Sequence, residues 1–325
     1  MAGGMTCVAC CDIGGTKVLL GLVDEAGHIL ARDRYLLAGQ REPAQIVAQL
    51  VSRLNRLAGQ MGLGWRNVVG LGCSIAAVLD SEQRKLRFAP NIVGLAQDVP
   101  FKALLQQALG CPVWLEMDAQ AAAFGEAWQG AGAGANELVY VVVGTGIGAG
   151  IVARGQIYRG WSGTAGELGH TTIEPNGPRC NCGNQGCLEA LAAGPAIAQR
   201  ALLAIQQGRA TLMRDLVTGQ DMSAEVVMQA ARLGDEVAGD IIRQTAAYLG
   251  IGLANVLHLL NPEVIVLGGG VIQGGGDLLL EPIRQATARR CGSWIDWQRT
   301  QIVAAALGED AGLLGAARLV LSKNP

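Results

Sequence analysis

The chain has 325 residues, of which half are hydrophobic and 47 are glycine, and its formal net charge is −2. This composition excludes a disordered protein, and the near-neutral charge gives no field that would attract nucleic acid or an anionic membrane. The length exceeds that of a typical single core, so we expect two lobes of ordinary size and a small-molecule ligand.

The chain shows no membrane or export signal. Its longest uncharged run, Leu138 to Ala153, is too short for a bilayer span and is interrupted by glycines. The N-terminal residues lack a basic region followed by an apolar core and a cleavage site. We therefore expect a cytoplasmic protein whose nine cysteines are reduced.

The first predicted elements form a hairpin. Thr6 to Ile13 is typical of a buried strand, Gly14-Gly15 of a turn, and Val18 to Asp24 of a second strand. Apolar residues at a helical period predict a helix over Pro43 to Leu63, and Val68 to Gly72 follows as a strand.

The next elements are a short strand over Val113 to Glu116 and an alanine-rich helix over Asp118 to Gln129. The glycine-alanine stretch from Gly130 to Ala135 is the expected joint between the lobes. Beyond it, a strand over Leu138 to Val143, a glycine turn and a strand over Gly150 to Ala153 repeat the plan of residues 6–24. Two similar hairpins therefore begin two similar lobes.

Glycine-rich turns after strands often bind phosphate, because backbone N–H groups can converge on an anion where no Cβ intervenes. Neither turn is a P-loop or a Rossmann fingerprint, since the required spacings are absent and a strand follows in place of a helix. A single such turn is most often only a tight hairpin. Two equivalent turns, each with a threonine (Thr16, Thr145) and one preceded by Asp12, favour a nucleotide held between the lobes.

Six motifs in order resemble the ROK family of sugar kinases and repressors: DIGGTK, VVVGTGIGAGIV, AGELGH, CNCGNQGCLEA, VIVLGGGV and EDAGLLGAA. They extend from Asp12 to Ala317, nearly the whole chain. The resemblance implies the α/β actin/hexokinase-like (ribonuclease H-like) ATPase fold, with two lobes around a cleft. It implies a small lobe over residues 1–117, a large lobe with a zinc loop over 118–309, and a last helix, about 310–325, that packs back on the first lobe.

The resemblance also implies ATP as a substrate, with Asp12 helping to position Mg²⁺. The residues expected to hold the ATP phosphates and the adenosine are Gly14, Gly15, Thr16, Lys17, Gly144, Thr145, Gly146, Gly268, Gly269 and Gly270.

One histidine and three cysteines lie within eighteen residues: His170, Cys180, Cys182 and Cys187. They offer the four N/S ligands of a closed tetrahedral Zn²⁺ site, although the C-x-C pair is tighter than the common C-x2-C knuckle. With the family resemblance, the H-x9-C-x-C-x4-C spacing predicts zinc. Four protein ligands leave no position for an activated water, so we expect a structural ion that shapes the pocket.

The resemblance assigns sugar contacts to Asn91, Glu167, His170 and Glu189, where without it the glutamates would be ordinary solvated residues. Asp118 matches the aspartate that accepts the proton of the sugar hydroxyl. Its alternative is to cap the alanine-rich helix, and both roles are compatible.

The chain departs from the family pattern near this aspartate. Met117 replaces the asparagine that normally hydrogen-bonds the sugar, Gln120 replaces a second asparagine, and Ala76-Ala77 stand where Pro-Gly is usual. Losing one neutral hydrogen bond costs about 0.5–1.5 kcal/mol, so we expect a weakened or altered sugar preference.

Three functions stay open at this stage. The first is an ATP-dependent hexose kinase acting on glucose or on an N-acylated hexosamine such as N-acetylmannosamine. The second is a ROK repressor, disfavoured because only eleven residues precede Asp12 and leave no room for a helix-turn-helix region. The third is a sugar-binding protein that has lost catalysis, against which the retained Asp12, Lys17 and Asp118 argue. Relatives commonly form homodimers, so we expect one here.

Overall fold

The computed structural model describes residues 6–37, 42–80, 85–89, 92, 98–217, 219 and 221–323. The strands, in chain order, are β1 (Cys7–Ile13), β2 (Lys17–Val23), β3 (Ile29–Leu36), β4 (Val68–Ile75), β5 (Val78–Leu79), β6 (Leu86–Phe88), β7 (Val113–Met117), β8 (Leu138–Val143), β9 (Ile147–Ala153), β10 (Gln156–Ile157), β11 (Val264–Gly268) and β12 (Gln301–Ala304).

The helices are α1 (Pro43–Gln60), α2 (Phe101–Leu109), α3 (Asp118–Gln129), α4 (Leu188–Ala192), α5 (Gly194–Gln206), α6 (Met213–Leu216), α7 (Ala224–Arg232), α8 (Glu236–Leu260), α9 (Gly270–Gly275), α10 (Asp277–Ala288) and α11 (Ala311–Leu321). Within the part of the chain that the structure describes, none of them has both the length and the apolar character that crossing a bilayer demands.

Two five-stranded sheets share one topology. The first has the order β3-β2-β1-β4-β7 and the second the order β10-β9-β8-β11-β12, so each reads third, second, first, fourth and fifth strand. In the first sheet β1 pairs antiparallel with β2 and parallel with β4. The α/β class and the repeated hairpin predicted from the sequence are confirmed.

The element boundaries differ from the prediction in two places. The strand β9 begins at Ile147, inside the stretch predicted as a glycine turn. Glycine lacks a side chain but keeps the backbone N–H and C=O groups that pair in a sheet, so a glycine-rich segment can still form a strand. The strand β3 was not predicted at all, since its Arg32, Asp33 and Arg34 mask the apolar alternation. Charged side chains are common on such an edge strand because they block pairing with other chains.

The chain divides into two compact units. The first comprises Met1–Asn136, Gly150–Gly166 and Ala306–Pro325, and the second Glu137–Ala149 and Glu167–Ala305. This division does not coincide with the boundary expected after residue 117, because α3 packs along α11 within the first unit.

The first sheet has an apolar layer on each face. One layer contains Ile13, Leu20 and Leu71 together with the buried side of α1 and α2, and the other contains Val8, Cys10 and the apolar residues of α11. Burial raises the pKa of the Cys10 thiol well above its ordinary value, which keeps it a neutral core residue. In the second unit, the 25-residue helix α8 packs against α10.

Candidate active site

Three polar side chains form a row across the first sheet at the carboxyl ends of parallel strands. Asp12 on β1 is the register partner of Ser74 on β4, and Ser74 is the partner of Glu116 on β7. Partners in a ladder point to the same face of the sheet, so the three side chains lie side by side. Ser74 and Glu116 are fully buried.

The Asp12 carboxylate is held in a defined orientation. The Ser74 hydroxyl donates to Asp12 Oδ1 at 2.5 Å. Gly312 at the start of α11 lies over the same group, and a Cβ there would meet Asp12 Cγ at 2.8 Å. Because Gly312 has no side chain, the Asp12 carboxylate can occupy this space.

The electrostatics of Asp12 favour a cation. Burial, with a smaller contribution from the nearby Asp118 carboxylate, raises its pKa to about 6, although the Ser74 hydroxyl and the Lys17 ammonium act in the opposite direction. A buried carboxylate beside a second one is a group that a divalent cation would stabilise. Oxygen ligands of this kind fit Mg²⁺.

The first glycine turn joins β1 to β2 and is closed by the Gly14 N–H, which donates to the Lys17 carbonyl at 3.0 Å. Lys17 Nζ lies 2.9 Å from Glu309 Oε2, and this ammonium lowers the pKa of Glu309. Arg34 also approaches Glu309, at 3.8 Å. Glu309 therefore fixes the position of the lysine beside the turn.

Asp118 is the first residue of α3, and Met117 occupies the N-cap position. The alternative role for Asp118, capping this helix from the N-cap position, is therefore not what the structure shows. Its Oδ1 accepts the neighbouring Ala119 N–H at 2.8 Å, and a carboxylate in the first turn is favoured by the helix dipole. Met117 packs against the apolar layer that contains Ile75 and Ala77.

Two contacts connect the start of α3 to the loop that follows β10. Arg159 donates from Nε to Glu116 Oε2 at 2.8 Å, and its Nη2 lies 2.5 Å from the same oxygen. Gln120, which is fully buried, donates from Nε2 to the Ala165 carbonyl at 3.1 Å. Both ends of the loop segment are thereby tied to the Asp118 region.

In the second unit, Glu189 supports the second glycine turn. Its Oε2 accepts the Ile147 N–H at 2.9 Å, and a Cβ at Gly146 would meet the same oxygen at 2.5 Å. The Gly144 carbonyl in turn accepts the Gly194 N–H at 2.8 Å. Glu189 therefore stabilises the turn through this hydrogen bond, and it also lies near the cysteine cluster.

A cavity of about 810 Å³ opens beside this turn, lined by Gly144, Thr145, Gly194 and Gly270 among others. Its size suits a nucleotide. Gly269 has a φ of +92°, and a side chain there would clash with the Val143 backbone, so the close approach of α9 to β8 requires glycine.

The histidine and three cysteines converge as the spacing predicts. All four ligand atoms lie within 4.8 Å of one another. Cys180 Sγ is 3.6 Å from His170 Nδ1, and Cys182 Sγ is 3.7 Å from Cys187 Sγ. Zn–S bonds of about 2.3 Å give a tetrahedral edge near 3.8 Å, so the donor set fits zinc.

The protonation preferences of this cluster also suit a cation. The Asn184 N–H lowers the pKa of the Cys182 thiol, whereas burial and the neighbouring thiols raise the pKa of Cys187. A cation bound among these sulfurs would stabilise the thiolates and so offset the electrostatic cost of holding them close together. Because Nδ1 of His170 faces Cys180, its Nε2 remains on the outer side, 3.9 Å from Glu167 Oε2.

Comparison with known proteins identifies the family to which the chain belongs. The ROK family model matches residues 8–323. The chain belongs to the ROK family. A glucokinase of Streptomyces coelicolor is 35% identical over 322 residues, which cover 97% of each chain.

Solved ROK structures have the same fold. The ROK hexokinase from Thermus thermophilus superposes with a TM-score of 0.85 at 34% identity, over 98% of this chain and all of the other. The ROK glucokinase from Streptomyces griseus, solved with glucose and AMPPNP, gives a TM-score of 0.78 at 36% identity, over 96% of this chain and 98% of that one. The two-lobed sugar kinase fold expected from the ROK motifs is confirmed.

The structure groups the predicted residues by unit. Asp12, Lys17 and Asp118 lie in the first unit, and the four-ligand cluster, with Glu167 and Glu189, lies in the second. Asn91 lies outside the described residues.

Sequence reasoning missed four residues that support the site: Ser74, Glu116, Arg159 and Glu309. For Ser74 and Glu116 the local signal was a polar residue near the end of an apolar strand, as in GCSI and WLEM.

Proposed function

We propose that this protein transfers the γ-phosphoryl group of ATP to the 6-hydroxyl of glucose or of a related hexose, with Asp118 as general base. Its class is settled by its family and relatives: the chain is an ATP-dependent sugar kinase of the ROK family. The observation that carries the finer proposal is the pair of carboxylates, Asp12 and Asp118, close enough to interact at the ends of β1 and β7.

Each carboxylate has its own task in this proposal. Asp118, fixed at the first turn of α3, accepts the proton of the attacking hydroxyl. Asp12, oriented by Ser74, holds Mg²⁺, which would neutralise charge on the phosphates. Lys17 and the N–H groups of the turns at Gly14-Gly15-Thr16 and Gly144-Thr145-Gly146 bind the phosphate oxygens, and Gly268, Gly269 and Gly270 lie against the adenosine.

The proposed sugar contacts come from Asn91, Glu167, His170 and Glu189. The zinc ion would be structural, held by His170 Nδ1 and the three cysteines, which leaves His170 Nε2 for a sugar hydroxyl. By fixing the ring, the metal orients this donor.

One observation favours an alternative substrate. Met117 packs against the apolar layer that contains Ala77, so the residue at this position offers a sugar hydroxyl a thioether in place of an amide. An N-acylhexosamine such as N-acetylmannosamine, or another sugar that lacks a free hydroxyl at this position, would lose less binding here than glucose. We also propose a cytoplasmic location, where the zinc-binding thiols stay reduced, and a homodimer.

The deciding experiment measures ADP release from ATP and Mg²⁺ against a panel of hexoses, fructose and N-acetylhexosamines. Turnover on one sugar that is lost in Asp118→Asn, with ATP binding retained, identifies the substrate and supports the base. Full activity of Asp118→Asn would exclude Asp118 as the base. No ADP release with any sugar of the panel, in protein that contains zinc and binds ATP, would favour a sugar-binding protein without catalysis.

A further inference from the structure

We propose that Arg159 and Gln120 are positioning residues, which clamp the loop after β10 to the strand end and helix start that carry the catalytic base. The inference rests on the proposed role of Asp118. It concerns residues that do not themselves touch the reacting atoms, and it gives Gln120 a task other than sugar binding.

The first half of the clamp is an ion pair in an unusual position. Glu116 is fully buried, two residues before Asp118, and a buried charge needs a good partner. Arg159 supplies two donors to Glu116 Oε2, while Glu116 Oε1 accepts the Met117 N–H at 3.2 Å. The guanidinium is therefore connected through one carboxylate to the backbone N–H of Met117, the residue immediately before Asp118.

The second half is the Gln120 amide. Its Nε2 donates to the Ala165 carbonyl, and its Oε1 is buried without a partner among the described residues. Burying an amide with one unsatisfied atom is unfavourable. We therefore infer that the hydrogen bond from Gln120 Nε2 to the loop is the reason for a glutamine at this position. An asparagine, shorter by one methylene, would not reach Ala165 from the same backbone position.

The loop between the two attachment points has its own closure. The Ala165 N–H donates to the Arg159 carbonyl at 3.0 Å, and Gly160 and Gly163 have φ values of +70° and +86°. Trp161 at the tip is 99% exposed, so no apolar packing anchors the loop there. The two polar contacts at its base consequently determine where the loop lies relative to Asp118 in the first unit.

An ion pair with one fully buried partner is weak evidence for stability, and we infer that this one serves to define a geometry. We therefore expect removal of the clamp to displace Asp118 and lower kcat, with the KM for ATP unchanged. Misplacing a catalytic group by a fraction of an ångström costs on the order of tenfold in rate.

The test compares Arg159→Met with the double variant Glu116→Met/Arg159→Met, which removes the buried Glu116 charge together with its partner and so leaves no unpaired buried charge. We expect both to lose about tenfold in kcat, with unchanged KM for ATP, while Arg159→Lys recovers part of the rate. Hydrogen exchange should show faster exchange of residues 159–165 in both. The matched control is Arg209→Met, which removes an exposed arginine paired with Asp240 and should behave as wild type.

Recovery of wild-type kcat in the double variant would overturn the proposal, because the ion pair would then serve stability alone. Wild-type kcat in Arg159→Met would overturn it as well. In an Asp118→Asn background, Arg159→Met should add no further loss of rate, since both changes act on one group. If Asp118→Asn alone keeps full activity, the proposed base fails, and that outcome is distinct from a failure of the clamp.

Discussion

Replacing Gly312 by alanine should impair the Mg²⁺-dependent step more than it impairs folding. The new Cβ would stand 2.8 Å from Asp12 Cγ and Oδ1 and 3.0 Å from Ser74 Oγ, whereas ordinary contact begins at 3.4 Å. The carboxylate must therefore move by ~0.6 Å or α11 must shift by a similar distance. A misplacement of about 1 Å can cost about 100-fold in rate, so we expect roughly tenfold here.

The cost in stability should be smaller. Overpacking a well-filled site costs about 1–3 kcal/mol, and alanine regains up to about 1 kcal/mol of helix propensity over glycine, which leaves a net loss of about 0–2 kcal/mol. The control is Gly59→Ala in α1, where a Cβ meets nothing within 4 Å and the change should be neutral or stabilising.

The assay is kcat as a function of Mg²⁺ concentration, together with urea unfolding of both variants. We expect Gly312→Ala to need a higher Mg²⁺ concentration for half-maximal rate and Gly59→Ala to match the wild type. A wild-type Mg²⁺ dependence in Gly312→Ala would refute the inference that Asp12 holds the cation in the orientation that Ser74 imposes.

Three further predictions test other parts of the molecule. Cys187→Ser should lower bound zinc, measured by metal analysis, and lower the melting temperature of the second unit; one zinc per chain with unchanged melting would contradict the proposed donor set. Glu309→Gln should raise the KM for ATP without changing the KM for the sugar, because Lys17 loses its anchor; equal changes in both KM values would show that the ion pair is not specific to the nucleotide. Burial acts to raise the pKa of Asp235, but the N–H donors of α8 and of Leu212 outweigh it and lower the pKa, so its stabilisation is present above about pH 4 and is lost as pH falls through the folded-state value. Asp235→Asn, which keeps a capping side chain, should therefore differ from the wild type in urea unfolding at pH 7, and the difference should shrink as the pH falls through the folded-state pKa of Asp235; a constant difference would exclude this linkage.

The sequence could predict features that depend on local spacing. The hairpin of β1 and β2 follows from apolar runs around two glycines, and the cluster of His170 with three cysteines follows from a spacing within eighteen residues. Both patterns place their partners close in the chain. Fully buried strands such as β11 are equally clear, because burial on both faces leaves a continuous hydrophobic run.

Features that depend on register between distant strands could not be predicted. Ser74 reaches Asp12 only because β4 aligns with β1 at those residues, and Arg159 reaches Glu116 only once the loop after β10 returns to β7. Neither alignment can be recognised from the local sequence. Met117 was recognised as a departure from the ROK pattern, but only the strand alternation shows that its side chain joins the apolar layer.

The two sheets share one strand order but carry different residues at corresponding positions, and this difference is useful for engineering the protein. The two copies carry unequal chemistry: β1 ends with the acid Asp12 before its glycine turn, whereas β8 ends with Val142-Val143 before its own. In the proposed reaction the general base and the Mg²⁺ ligand thus belong to the first copy, while the second copy offers a neutral turn and the proposed zinc ligands. Directed evolution of sugar or nucleotide selectivity can accordingly begin with residues 167–199, and the acid pair of the first copy can be left untouched.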